Sequence, residues 1–456
     1  MKLYKLFIPV ILLLSTVCYS CKKYLDAKPD RSLEEPSTLQ DYQAMLDFKT
    51  ISANFPFAGD IGSDDYYLTY TSWNALLSVI YRDTYVWAPN AVNDQDWQYM
   101  YGVILDANIV IDGTGKLPGK GNNAAALDEV KGSAYFVRGY CYYQLANVFT
   151  LPYSNTNSTV KQLGLPLHLE ASITTPTVRA TLAQTYGQII SDLKTAAALL
   201  PVQPLVKTRP CKPAAFGALS RAYLAMGNYV QAGLYADSCL QLQNKLIDYN
   251  TLNPLASLPF PLFNTEVIFH NTTSGRGAVV SPSRAIVDSN LYRSYADNDL
   301  RKVLFFKMNA AHLPVFKGDY GGSGTALLFG GIATDEMYLV RAECHARNNE
   351  VASAISDLNM LLVNRYATGT YTAYPITLAP DSALSLILSE RRKELAFRSE
   401  IRWGDLRRLN QDERFALTLT RNLNGTLYTL PPNDKRYAYL IPVSVIQLTG
   451  IPQNER

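Results

Sequence analysis

Histidine is scarce, four in 456 residues. His168, His270, His312 and His345 stand too far apart for an HExxH or related metal spacing. No GxSxG elbow, P-loop or GxGxxG occurs, so the usual signatures of serine hydrolases, NTPases and dinucleotide enzymes are missing. Ser191-Asp192-Leu193-Lys194 fits SxxK, but it lies mid-helix without companion motifs and reads as a chance match. Asn93-Asp94-Gln95-Asp96 has the acids of a calcium loop without its glycine or closing glutamate, and reads as a solvated turn. Nothing in the chain asks for an enzyme, a metal or a cofactor.

Cysteine is also sparse. Of six, Cys18 and Cys21 lie near the N-terminus. Cys141, Cys211, Cys239 and Cys344 form no CxxC pair, and buried free thiols are the expectation even in a compartment that permits disulfides. Charge of either sign is not in excess: the net value is +3, and smaller still without Lys2 and Lys5. That balance leaves no electrostatic footprint for nucleic acid. No apolar run reaches the roughly 20 residues that span a bilayer.

A short apolar run is present, from Leu6 to Val17, behind Met1-Lys2 and Lys5. A cationic start, a core of roughly 7–15 apolar residues and a small residue before the cut describe a secretory signal, here residues 1–20. Cys21 follows the small Ser20 and resembles the lipidated cysteine of a bacterial lipobox, whereas Cys18 follows bulky Val17. Lipidation at Cys21 would tether a soluble body to a membrane, since acyl chains contribute about 0.8 kcal/mol per buried CH₂. The mature remainder is long enough for a large core. It divides into an N-terminal region, 21–240, and a C-terminal region, 241–456, expected to form one compact body.

Four stretches predict long helices. Gly132 to Phe149 is apolar almost all round and should be buried on several sides. Gly217 to Leu242 reads as two helices broken at Gly227-Asn228, with the small residues and turn of a tetratricopeptide pair. Glu336 to Arg365 repeats the theme with Asn348-Asn349 at its turn. Leu182 to Leu200 is a weaker partner, stopped by Pro201. The copies are unevenly spaced, so the expected fold is mostly α: tetratricopeptide-like helix pairs in a partial solenoid, with long loop-rich insertions and minor β.

The insertions carry aromatic residues. Tyrosine is the outlier, with 31 against 16 Phe and 4 Trp; its rigid ring with a polar tip suits recognition surfaces as well as helix interfaces. Residues 50–100 mix Tyr and Trp with Asp, Asn and Ser. Residues 250–335 are rich in Pro, Gly and Asn, with VIFHNTT as a short strand and GDYGGSG as a turn. Both insertions are expected to be ordered surface. The densest charge cluster, Ser389 to Leu409, alternates its signs and reads as an internal ion-pair lattice in which Arg391 or Arg398 serves Glu390 and Glu394.

Several of these motifs resemble one family. CKKYLDAKPD (Cys21 to Asp30), DANIVID (Asp106 to Asp112), the helix pairs, ERRKELAFRSEIRWGDLRR (Glu390 to Arg408) and IPVSVIQLTGIPQN (Ile441 to Asn454) resemble the SusD/RagB lipoproteins. Arg398-Ser399-Glu400 departs from the acidic-glycine pair of many relatives. The resemblance implies a helical, non-catalytic protein anchored in the outer membrane and facing the cell exterior. It also implies a SusC-like TonB-dependent transporter as partner and an oligosaccharide as cargo, or alternatively a peptide-binding or mainly structural lid of a RagAB-like complex. Sugars have polar edges and apolar C–H faces, so Tyr66, Tyr67, Tyr70, Trp73 and Trp87, with Asp64 and Asp65, are the candidate ligand contacts. Tyr292, Tyr295 and Tyr320 form a second set. Trp97 and Tyr101, one turn apart, are assigned to helix packing.

Overall fold

The computed structural model describes residues 36–48, 56–117, 123–154, 161–172, 174–273, 279–317, 320–324 and 327–456. The signal segment, Cys21 and the CKKYLDAKPD motif lie outside the described residues. The helices of nine residues or more are α1 (Leu39–Asp47), α2 (Asp94–Lys116), α3 (Ala124–Phe149), α4 (Leu182–Leu199), α5 (Lys212–Ala225), α6 (Tyr229–Leu242), α7 (Thr334–Arg347), α8 (Val351–Leu362), α9 (Pro380–Glu394) and α10 (Ile401–Leu409). They pack as a run of neighbours: α2 on α3, α3 on α4, α4 on α5, α5 on α6, α6 on α7, and α7 on both α8 and α9. This is the stacked-pair architecture that the sequence predicts.

The turns fall where the residue types put them. Gly227 takes φ +69° between α5 and α6, a conformation that costs a side chain but not glycine. The Asn228 side chain then accepts the Gln231 amide at 3.1 Å and caps α6. Asn349 (φ +61°) does the corresponding turn between α7 and α8. Helix α3 is buried on nearly every side from Gly132 to Phe149, because α2 and α4 sandwich it. A capping box between Thr38 and Asp41 opens α1, and Tyr42 lies flat over Gly113 of α2, where a Cβ would come within 2.2 Å of the ring. Gly113→Ala should therefore lift α1 from α2, with a loss of about 1–3 kcal/mol, measured as a lower denaturant midpoint and faster proteolysis within 36–48.

The insertions do not remain on the surface as expected. Phe57, Tyr66, Leu68, Tyr85, Val267, Val287, Tyr295, Phe306 and Phe329 join a second hydrophobic core beside the helical layer. Small antiparallel sheets tie it together. Tyr66–Tyr67 pairs with Ile286–Val287, and Val267–Phe269, the strand expected in VIFHNTT, pairs with Ile332–Ala333. A hairpin, 419–423 with 426–430, turns on Asn424-Gly425, both at positive φ, the dipeptide that a two-residue turn favours.

The C-terminal charge cluster is an internal lattice, but with other partners than expected. Glu390 and Glu394 face Arg301 at 2.7 and 3.1 Å, and Glu394 also holds Arg365 at 2.7 Å. Arg391 turns to Asp405 at 2.8 Å and Arg398 to Asp335 at 2.5 Å. Neighbouring helix positions point about 100° apart, so Arg391 is buried on another side of α9 from its neighbour Glu390, and Arg398 lies beyond the helix end. Cys141, Cys211, Cys239 and Cys344 are buried free thiols, and burial pushes Cys211 up to about 12.

Candidate functional site

Of the candidate aromatics, Tyr66 and Tyr67 form a two-residue strand, Tyr70 and Trp73 lie on a short helix, and Trp87 follows the helix Val79–Tyr85; tertiary packing separates them into two groups. Tyr66 is 1% exposed and Trp87 0%. The Tyr66 hydroxyl donates to the Ile61 carbonyl at 3.0 Å. The Trp87 indole donates to the Gly62 carbonyl at 2.9 Å. Trp87 also takes φ +54°, a strained conformation for a bulky side chain, held by full burial and by Arg421, whose guanidinium stands 5.0 Å from the ring. Both rings are core residues, and neither presents a face to solvent.

Asp64 and Asp65 are likewise committed. Asp64 takes both nitrogens of Arg402, at 2.6 and 2.9 Å, and meets Arg392 at 3.1 Å. Against the opposing pull of burial, Arg402 and then Arg392 hold its carboxyl well below the usual range. Asp65 accepts the Phe397 amide at 3.1 Å, and burial raises it to about 6. Asp60, a residue not singled out in the sequence, accepts the Ser399 hydroxyl and the Glu400 amide, each at 2.8 Å. Asp60 and Asp65 thus dock onto the turn between α9 and α10, where Phe397 and Glu400 take φ +58° and +61°, and Asp64 onto arginines of the two helices that flank it. Sequence reasoning gave Asp64 and Asp65 to a ligand; the structure gives them to arginine and backbone partners 330 or so residues away, a pairing that no local pattern announces.

Tyr67, Tyr70 and Trp73 form the second group, on the outside of this base. Tyr67 is half-buried on the strand paired with Ile286. Thr69 caps the helix Tyr70–Asn74 by accepting the Ser72 amide, which fixes Tyr70 and Trp73 three residues apart on one side of it. Tyr70 is 44% exposed; its ring centroid stands 6.0 Å from that of Trp73, with planes at 39°. Trp73 packs its inner side on the second core and donates its indole N–H to the Arg82 carbonyl at 3.1 Å. Leu77, Val79 and Ile80 are exposed just beyond, three aliphatic residues that sequence reasoning passed over. The strand pairing of 66–67 with 286–287 brings the helix Ser289–Arg293 alongside. There Tyr292, half-buried, stands under the Lys302 ammonium at 5.5 Å. Its expected companions Tyr295 and Tyr320 are core residues, bonded to the Lys393 carbonyl and to Glu266.

A groove of about 310 Å³ opens elsewhere, on the N-terminal half of α2, lined by Trp97, Tyr101, Leu105, His168, Thr177 and Leu448 among others. Trp97 is packed as expected, edge-on to Phe149. Tyr101 packs against it at 4.7 Å but stays half-exposed. Among the described residues, no group of three or more His, Cys, Asp or Glu is placed to hold a metal ion, and no helix is long and apolar enough to cross a membrane.

Two family models match the chain. Residues 23–224 match a SusD-like family described as starch-binding and associating with the outer membrane, and residues 334–447 match the SusD family. Solved structures share the fold along nearly their whole length. A SusD superfamily protein from Bacteroides thetaiotaomicron is 23% identical with a TM-score of 0.74, over 92% of this chain and 100% of that one. A SusD-like carbohydrate binding protein from Bacteroides vulgatus is 20% identical, with a TM-score of 0.67 over 91% and 97%. A surface glycan-binding protein from Bacteroides uniformis is 14% identical, with a TM-score of 0.70 over 92% and 100%. No curated protein matches the sequence at a significant level. The chain belongs to the SusD/RagB family.

Proposed function

We propose that this protein is a non-catalytic, surface-exposed lipoprotein that binds oligosaccharide and passes it to a SusC-like TonB-dependent transporter in the outer membrane. The observation that carries the reading is the Tyr70–Trp73 pair on a capped helix, with Tyr70 exposed and Trp73 half-buried against the second core, its indole held by the Arg82 carbonyl. Ring faces fixed in this way accept the C–H face of a sugar without first paying to order themselves. Membership of the family and the sugar-binding descriptions of structural relatives support the same class of ligand. Cys21 is the proposed anchor site, so Cys21→Ser should move the protein from the membrane fraction to the soluble one.

Leu77, Val79 and Ile80 favour a second reading. Exposed aliphatic residues beside an aromatic pair mark contacts with apolar partners, which fits a peptide ligand or a lid. Calorimetry with neutral oligosaccharides and with peptides separates the two. On the first reading an oligosaccharide binds, and Trp73→Ala weakens it by more than about 1 kcal/mol, the scale of a lost stacked ring. Peptide binding with no response to any glycan would establish the second reading in its place.

A further inference from the structure

The groove on α2 exists because the helical layer is left incomplete there. Trp97, Tyr101, Ile104, Leu105 and Asn108 share one face of α2, a face that a preceding helix would cover in a continuous stack. Helix α1 has only nine residues and sits over the far end, at Gly113. The near half is walled instead by Pro166, His168, Glu170, Ser172 and Thr177 and by the helix Val443–Thr449. Its volume, about 310 Å³, lies at the lower end of ligand pockets, roughly 300–1,000 Å³.

Several backbone groups of this wall are already bonded. The Tyr101 hydroxyl donates to the Pro166 carbonyl at 2.8 Å. Tyr142 bonds both the carbonyl and the amide of His168, each at 2.8 Å. The Asn108 side chain donates to the carbonyls of His168 and Glu170 at 2.9 and 3.1 Å, and Arg138 donates to the Leu169 carbonyl at 3.2 Å. Polar side chains of the wall also face the groove. His168 Nε2 and Thr177 Oγ1 share one long hydrogen bond of 3.4 Å, which a closer ligand hydroxyl can replace. Burial lowers the His168 imidazole, which keeps it neutral and able to accept a hydroxyl at neutral pH. No lysine or arginine lines the groove among the described residues, and Glu170 is its only charge. Such a lining does not favour an anion.

We propose that this groove is a second saccharide site, separate from the Tyr70–Trp73 surface, that takes one neutral sugar ring. The apolar face of the ring rests on Tyr101 and Leu105, and its hydroxyl edge meets His168 Nε2 and Thr177 Oγ1. Leu448, 86% exposed, forms the lip.

The test is calorimetric titration of the full chain with three probes, the methyl glycosides of glucose, galactose and mannose, beside N-acetyltyrosinamide. Leu448→Arg fills the groove from an exposed position, and Thr177→Val removes only a hydroxyl, so neither disturbs the core. At least one glycoside should bind wild type and Trp73→Ala equally, and both groove variants should weaken it by about tenfold or more. The proposal is overturned if no glycoside binds, if neither groove variant changes the affinity, or if N-acetyltyrosinamide takes the groove instead. Oligosaccharide binding that Trp73→Ala still weakens would then show that the second site alone had failed.

Discussion

Replacing Arg365 with leucine should lower the unfolding free energy by about 3–5 kcal/mol, the usual cost of stranding a buried charge by removing its partner. Arg365 is fully buried and bridges Glu266 and Glu394, each at 2.7 Å, while donating to the Ile247 carbonyl at 2.8 Å. Its guanidinium also lies 4.0 Å from the Tyr249 ring. Glu394 in turn shares Arg301 with Glu390 and Asp299. The lattice joins the second core to the end of α8 and to α9, so one missing cation leaves acids from two regions uncompensated. The urea midpoint should drop with little change in slope, and an unchanged midpoint would mean the pairs are not formed in solution. Arg414, exposed at the surface with Asp412 and Asp381, is the control; Arg414→Leu should leave the urea midpoint almost unchanged.

Asp60→Asn should flatten the pH dependence of stability. Asp60 is buried with no cation bonded to it among the described residues, and Asp65, Asp96 and Glu400 stand near. Burial is the main cause that pushes its carboxyl up to about 8, despite the amide of Glu400 and the hydroxyl of Ser399. The folded protein therefore keeps a proton that the unfolded chain gives up near 3.8. Stability from this proton is fully present below that lower value. It declines by up to about 1.4 kcal/mol per pH unit as pH rises, and levels off above the folded value. Glu400, raised by burial and by Asp60, acts in the same direction. Asp64 and Asp405 act in the opposite one: both are held low, Asp405 at about 2, so their contribution is lost on acidification. Wild type should be more stable at pH 5 than at pH 8.5. In Asp60→Asn that difference should shrink, since the amide accepts the Glu400 N–H without ionising; the remainder comes from Glu400, Asp335 and Asp65, which burial also raises. An equal difference in the two proteins would assign the pH dependence elsewhere.

The helical layer was legible because its signals are local. The apolar run of α3, the Gly227-Asn228 turn and the Asn348-Asn349 turn each act within a few residues, and the structure places them as read. The site was less legible for a physical reason. Tyr66 and Tyr70 are the same residue type four positions apart, yet one is 1% exposed and the other 44%. A strand pairing with residues more than two hundred positions away decides the first, and a Thr69 cap at the surface fixes the second. Asp64 looked like a ligand partner because Arg402 is far off in sequence. Trp97 and Tyr101 were assigned to packing, which holds for Trp97, but only the shortness of α1 leaves Tyr101 at an open groove.

The most direct test follows the four tryptophans as fluorine-labelled indoles while a neutral oligosaccharide is titrated in. Trp73 should shift on binding, Trp87 and Trp403, both 0% exposed, should stay in place, and the sugar should be recovered uncut. A ligand that binds without moving Trp73, or one that is returned cleaved, would contradict a non-catalytic receptor built on the Tyr70–Trp73 surface.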